Sequence, residues 1–251
     1  MKIEKFLFPL ILLLIWQGLS SAGIIPAYKL PAPLEILSGL LELLTEGMPP
    51  GHRLHHHILY SLYRVGLGFV AAAILAVPLG LVMGWSDKIR RFFRPVLEVI
   101  RPVPPLAWIP IAILWFGIGI PSAAFIIFLG AFFPILLNTV SGVLSINPTL
   151  VEAAKTLKAA DKDIFFKVLF PGAIPSIFVG LRIAIGIAWM TLVAAEFTGV
   201  KEGYGLGYMI MTARDIQRPD QILAGMLAIG VIGLLIDVML RKAEARVIPW
   251  K

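Results

Sequence analysis

The 251-residue sequence contains no cysteine. That excludes disulfides, thiol catalysis and cysteine-based metal or cluster sites. Charge is scarce too: only 15% of residues are charged, against 59% hydrophobic, and mean hydropathy is +0.90. Soluble domains carry about 25% charged residues, so a water-soluble globular chain is excluded and a membrane protein expected. No G-x-x-x-x-G-K-[ST] phosphate loop is present, so the chain has no nucleotide hydrolase of its own and is not expected to be an enzyme. No paired carboxylates or His–Glu cluster face one another at membrane depth. There is no low-complexity tract, linker or clear internal repeat.

What fills the sequence is long apolar runs: Phe6–Ala22, Ile58–Trp85, Val96–Gly119, Ser122–Leu144, Gly172–Gly199 and Ile222–Leu240. About 20 apolar residues cross a bilayer as a helix, and none of these runs alternates like a barrel strand, so they predict six membrane-spanning helices. With the N-terminus inside, fifteen cations fall on inner segments (Lys2, Lys5, Lys88, Arg90, Arg91, Arg94, Arg101, Lys155, Lys158, Lys162, Lys167, Arg241, Lys242, Arg246, Lys251). Five fall outside (Lys29, Arg53, Lys201, Arg214, Arg218). The excess predicts a multi-pass plasma-membrane (inner-membrane) protein with both termini cytoplasmic. It also accounts for the net charge of +7 without nucleic acid. Phe6–Ala22, with two lysines before it and "SSAG" at its end, is read as a signal anchor; cleavage as a signal peptide would leave five spans. The expected organisation is 1–57, the first span and an outside amphipathic helix; 58–245, the transmembrane domain; and 246–251, a cytoplasmic tail.

Outside, Leu34, Leu37, Leu41 and Leu44 recur at helical spacing and predict an amphipathic helix on the membrane surface or the bundle, ended by Pro49, Pro50 and Gly51. Inside, "SDKIRRFFRP" (86–95) predicts a short basic turn. In the third run, Pro102, Pro104, Pro105 and Pro110 each remove a backbone donor. This marks either a kinked packing helix or the wall of a path, since irregular backbone survives at membrane depth only under protein or beside water.

The most polar inner stretch is "EAAKTLKAADKDIFFKVLFPGAIP", residues 152–175. Ala153, Leu157, Ala160, Ile164 and Val168 fall on one face of a single helix, Lys155, Lys158 and Lys162 on the other. Asn147 and Thr149 offer caps, Asp163 can pair with Lys167, and Pro171 is expected to stop the helix. Two readings fit: a helix lying on headgroups, or one docking into a protein groove.

This stretch resembles the Glu-Ala-Ala loop of the permease subunits of binding-protein-dependent ABC importers. Glu152, Ala153 and Ala154 match its start, and Val168, Phe170 and Pro171 fit its end. "SLYRVGLGF", "RPVPPLAWIPIAILWFGIG", "FFPILLNTVSGV", "GLRIAIGIAWMTLVAAE" and "GLGYMI" extend the resemblance over roughly residues 30–245, toward the nitrate/sulfonate/taurine branch. One departure stands out: the family's turn-forming glycine is Lys158 here. Because lysine disfavours positive φ, either the helix runs straight through or the turn moves, and the ridge periodicity supports the straight helix.

The resemblance implies an all-α integral membrane fold, a type I importer permease bundle of about six spans with a short cytoplasmic coupling helix. It implies two ATP-binding subunits that hold ATP and Mg, a second permease copy (a homodimer), an extracytoplasmic substrate-binding protein, and no cofactor in this chain. Glu152 would be the polar contact to the ATPase, with Ala153, Ala154, Leu157, Lys158, Ala160 and Ile164 on the coupling element. The cargo implied is a small anion such as nitrate, a sulfonate, taurine or bicarbonate. An aromatic or pyrimidine-like vitamin precursor, or a stand-alone secondary transporter or channel, are the alternatives. Polar residues inside the spans are the candidates for the path: Arg64, Asn138, Thr139, Arg182, Trp189, Thr191 and Glu196. The arginines either attract the anion or serve structure, by snorkelling or by pairing with carbonyls or Glu196. "HRLHHH" (52–57) does not place its histidines on one helical face, so an outer contact with headgroups or the binding protein is expected rather than metal. The glycine-rich 199–214 is either a gate-like re-entrant loop or a plain connection.

Overall fold

The computed structural model describes residues 4–48, 51–198 and 203–247. Pro49, Pro50 and residues 199–202 lie outside the described residues, as do the side chains of 4–6. Among the described residues every regular element is helical, with a lone bridge between Met48 and His52.

The helices are α1 (Glu4–Ser21), α2 (Pro33–Thr45), α3 (Leu54–Trp85), α4 (Asp87–Ile100), α5 (Ile109–Phe116), α6 (Ile120–Leu144), α7 (Pro148–Thr156), α8 (Asp161–Ile164), α9 (Phe170–Phe197), α10 (Leu206–Asp215) and α11 (Pro219–Val247). A 3-10 turn, Pro105–Trp108, precedes α5, and a π-helical turn, Phe165–Leu169, joins α8 to α9. Four helical runs are long and apolar enough to cross a membrane: α3, α6, Asp161–Phe197 and α11. The pair formed by α4 and Pro105–Phe116 makes a fifth if taken as one broken span, and α1 is a shorter apolar helix.

The third expected span is therefore not one helix. α4 and the segment Pro105–Phe116 meet at 80°. Pro102, Pro104 and Pro105 carry no N–H, so the α-helical ladder cannot continue. The basic segment 86–95 is not a turn either. After the single residue Ser86, whose side chain accepts from the Ile89 N–H, it is the first part of α4. Asp87 pairs with Arg90 and Arg91 on that first turn.

The chain divides into two units. The first comprises residues 1–62 and 196–232. In it the Glu35 carboxylate accepts the Ala32 N–H (2.8 Å), and Pro33 sits at the start of α2. Its Ile36, Gly39 and Leu43 face is buried, while Leu34, Leu37, Leu41 and Leu44 stay exposed. That leucine stripe is thus the outward face, available to lipid.

The second unit comprises 63–195 and 233–251. Here α3 and α6 meet through "GLVMG": a Cβ on Gly80 would lie 2.7 Å from Thr139 Cβ, and one on Gly84 2.5 Å from Val143 Cβ. Small residues four apart let two helices approach at backbone distance, the usual substitute for hydrophobic drive within lipid. At the ends of these helices Leu81, Val143, Ile164, Leu169, Ala173 and Ile177 form a buried cluster.

Candidate functional site

Residues 147–170 are largely exposed, and their shape departs from a straight helix. Asn147 caps α7 by accepting the Thr149 N–H (3.0 Å). The helix ends at Thr156, and Lys158 takes φ +59°. Lys158 N–H donates to Lys155 O (2.9 Å) and Ala159 N–H to Ala154 O (3.0 Å). These two bonds are the Schellman pattern, which closes the orphan carbonyls of a helix end through one left-handed residue. The family turn is therefore kept although its glycine is a lysine. The hydrogen bonds of the cap offset a left-handed cost of about 1–2 kcal/mol.

The expected single apolar ridge breaks at this turn. Ile164 is buried in the chain's own cluster, and Ala154 and Val168 pack against it. Glu152, Ala153, Leu157, Lys158 and Ala160 remain exposed, Leu157 at 83%. Pro171 does not stop the helix. The preceding π turn, closed by Phe170 N–H to Phe165 O, opens the backbone where the proline ring would otherwise crowd it, and α9 continues. Lys167 Nζ meets Asp163 Oδ1 at 2.7 Å, as the spacing predicted.

Arg182, Asn138, Thr139 and Thr191 each take partners of their own. Arg182 reaches Glu244 Oε2 (3.4 Å) and Asp237 Oδ1 (3.7 Å), both on α11, rather than Glu196. Arg64 is fully buried and does not snorkel. Asn138 donates to Pro134 O (2.8 Å), Thr139 to Ile135 O (2.7 Å) and Thr191 to Ala188 O (3.0 Å), each within its own helix. Trp189 lies against Gly233, whose added Cβ would stand 3.2 Å from its Nε1.

A feature the residue pattern did not flag lies at the α4–α5 break. A cavity of about 190 Å³ opens there, walled by Arg101, Val103 and Trp108 on one side, Gly130 and Phe133 of α6 on another, and Ile187 of α9. The four prolines marked the break; Arg101 read as an anchoring cation at its inner end. Nothing in a one-dimensional charge count distinguishes an arginine that closes a loop from one that enters a bend.

The sequence profile of the family described as binding-protein-dependent transport system inner membrane component matches residues 76–249. The chain is 37% identical over 243 residues to the taurine transport system permease protein of Escherichia coli, covering 96% of this chain and 86% of that one. The chain belongs to this family. It is likewise 36% identical over 245 residues to a nitrate import permease protein of Synechocystis, covering 95% of this chain and 86% of that one. The fold is that of the MetNI methionine ABC transporter in inward-facing form: TM-score 0.66 at 20% identity, over 77% of this chain and 95% of that one. The protein is thus the membrane-spanning permease of an ABC importer, with an ATPase and a substrate-binding protein as its partner classes.

The permease also fastens the start of α10 in its first unit. Gly205 N–H lies 3.1 Å from His57 Nδ1, whose other approach is to the Gly205 carbonyl at 2.9 Å. Leu206 N–H donates to Ser61 Oγ (2.9 Å), and Gly207 N–H to Glu196 Oε2 (2.8 Å). Ser61 Oγ in turn donates to Glu196 Oε1 (2.8 Å). The consecutive Leu206 and Gly207 amides at the helix N-terminus are thereby satisfied, and the carboxylate sits at the positive end of the helix dipole. His57 and Glu196 are buried, so His57 is no outer contact; His55 remains exposed. Tyr204 stacks on Tyr60 (4.6 Å, 10°) and lies 4.0 Å from the His52 ring.

Proposed function

We propose that the permease works as a homodimer with two ATPase subunits, which hold ATP and Mg, and imports a small anion of the nitrate, sulfonate, taurine or bicarbonate kind. Both termini face the cytoplasm, and an extracytoplasmic binding protein delivers the cargo. The anion reading rests on the relatives named for taurine and nitrate.

The observation that carries the coupling role is the capped turn at Leu157–Lys158. It projects a leucine with no cover from this chain, flanked by exposed Glu152 and Ala153. Behind it, Val151 and Ala154 of α7, and Ala159 just past the turn, pack on the cluster that joins α3, α6 and α9. Force applied at Leu157 is therefore delivered to three spans through close-packed side chains. Glu152 would meet the ATPase as a polar contact, with Ala153, Leu157, Lys158 and Ala160 around it; Ala154 and Ile164 act from behind, in the cluster. Asn138 and Arg182, which keep exposed surface, are the proposed contributors to the path among the expected residues; Arg64, Thr139, Trp189, Thr191 and Glu196 are buried and support it.

Co-purification tests this. Leu157→Asp and Glu152→Lys should each lose the ATPase while the permease stays folded and membrane-embedded. Full ATPase retention in both variants would refute the docking role. Uptake of labelled taurine, nitrate or bicarbonate by the assembled importer should require ATP, and uptake of none of them would refute the anion reading.

A further inference from the structure

The α4–α5 break presents a physical conflict that protein cover, water or ligand must resolve. Residues 101–104 are exposed, and three of the prolines there and next to them leave backbone carbonyls without helical donors. The cavity at the break is shared with Gly130 and Phe133, midway along the membrane-spanning α6, so it stands at membrane depth. Arg101 lines it, and among the described residues its guanidinium has no hydrogen-bonding or ionic partner. Irregular backbone and an arginine do not face hydrocarbon, where each costs several kcal/mol. This face is therefore turned to water or to the second permease copy, not to lipid.

We propose that the cavity is a station for the cargo in which Arg101 receives the oxyanion head of a small sulfonate or nitrate-like ion, while Trp108 and Phe133 cover its uncharged part. The assignment rests on the anion reading above and names where the ion is held. Guanidinium matches the flat or three-oxygen face of such heads with paired N–H donors, and its charge is permanent. The volume, about 190 Å³, lies below the roughly 300–1,000 Å³ of drug-sized pockets, which selects small solutes. A single cation without a built acid partner holds its ion loosely, as a transport station must if the ion is to leave.

The cysteine-free chain makes a direct test available. Val103, 40% exposed on the cavity rim, is replaced as Val103→Cys in the full importer in proteoliposomes. Two membrane-impermeant thiol reagents are compared: sulfonatoethyl methanethiosulfonate, an anion, and its trimethylammonium counterpart, a cation. The anionic reagent should react about tenfold faster, from local field focusing. Adding Arg101→Gln should bring the two rates level, and Arg101→Lys should keep the preference. Butanesulfonate or nitrate should slow labelling only where the cation is present. Absence of reaction with both reagents, a preference that survives Arg101→Gln, or no protection by either anion would overturn the site. Uptake of labelled anion is measured alongside on the Arg101 parent. Intact uptake with labelling blind to Arg101 removes the site and leaves the anion reading; no anion uptake at all removes both.

Discussion

Arg218 grips Glu42 with both arms of its guanidinium: Nη1 donates to Oε1 at 3.0 Å and Nη2 to Oε2. The same arginine holds Asp220 through Nε (3.0 Å) and Nη2 (2.8 Å), so α2 is fastened to the segment that opens α11. Gly39 completes the contact, since a Cβ there would lie 2.8 Å from the Asp220 carboxylate. The hydrogen bonds to Asp220 and Glu42 hold the arginine above its ordinary value, and the Arg218 hydrogen bond holds Glu42 below its own.

A carboxylate lowered in the folded state stabilises above its unfolded value and loses that contribution as pH falls through the lowered one. The Glu42–Arg218 contact therefore contributes fully at neutral pH, and the loss begins below the ordinary 4.5 and is complete beneath the lowered value. Glu42→Gln should lower thermal stability at pH 7 by about 1 kcal/mol or less, because the pair is about one-third exposed. At pH 3, below the ordinary 4.5, the gap between the variant and the parent should be smaller than at pH 7. Melting curves of the purified permease at both pH values check this; an equal gap at both would show that charge is not the cause.

Gly205 takes φ +146° and approaches Glu196 so closely that a Cβ would sit 2.5 Å from its carboxyl carbon. Gly205→Ala should therefore cost at least 1–3 kcal/mol from backbone strain alone. Ser61→Ala removes the acceptor of Leu206 N–H and a donor to Glu196, both buried, for about 1–3 kcal/mol. The two effects share one hydrogen-bond cluster, so the double variant should cost less than their sum. Additive losses in a thermal-shift cycle would show that the cap does not act as a unit.

Lys158 supplies a third case. Its φ of +59° suits glycine, so Lys158→Gly should be neutral to stabilising, by up to about 1 kcal/mol. Lys158→Val should destabilise by more than 1 kcal/mol, since a β-branched side chain crowds the left-handed backbone. If the helix ran straight, the order would invert, because glycine is the poorer helix former. Melting temperatures of the two variants separate the alternatives.

Some of this architecture was readable residue by residue. Apolar runs mark where helices must satisfy their own backbone in lipid, which located α3, α6, α9 and α11. Asn147 and Asp163 do their work within four residues of themselves, so the cap of α7 and the i,i+4 pair followed from spacing. The prolines of 102–110 announced a break because proline lacks a donor wherever it sits. The turn at Lys158 was misread because propensity speaks for one residue, whereas a Schellman cap adds two hydrogen bonds from its neighbours.

The sequence by itself determined a helical membrane protein and its importer family, since these depend on composition and local pattern. Tertiary structure alone decided that Ile164 turns inward, that Glu196 caps α10 beside Ser61 and His57, that Arg182 pairs with α11, and that Arg101 opens onto a cavity beside α6. Each depends on residues brought together across long stretches of chain, and a side chain's partner is set by where the backbone folds back, not by its own identity.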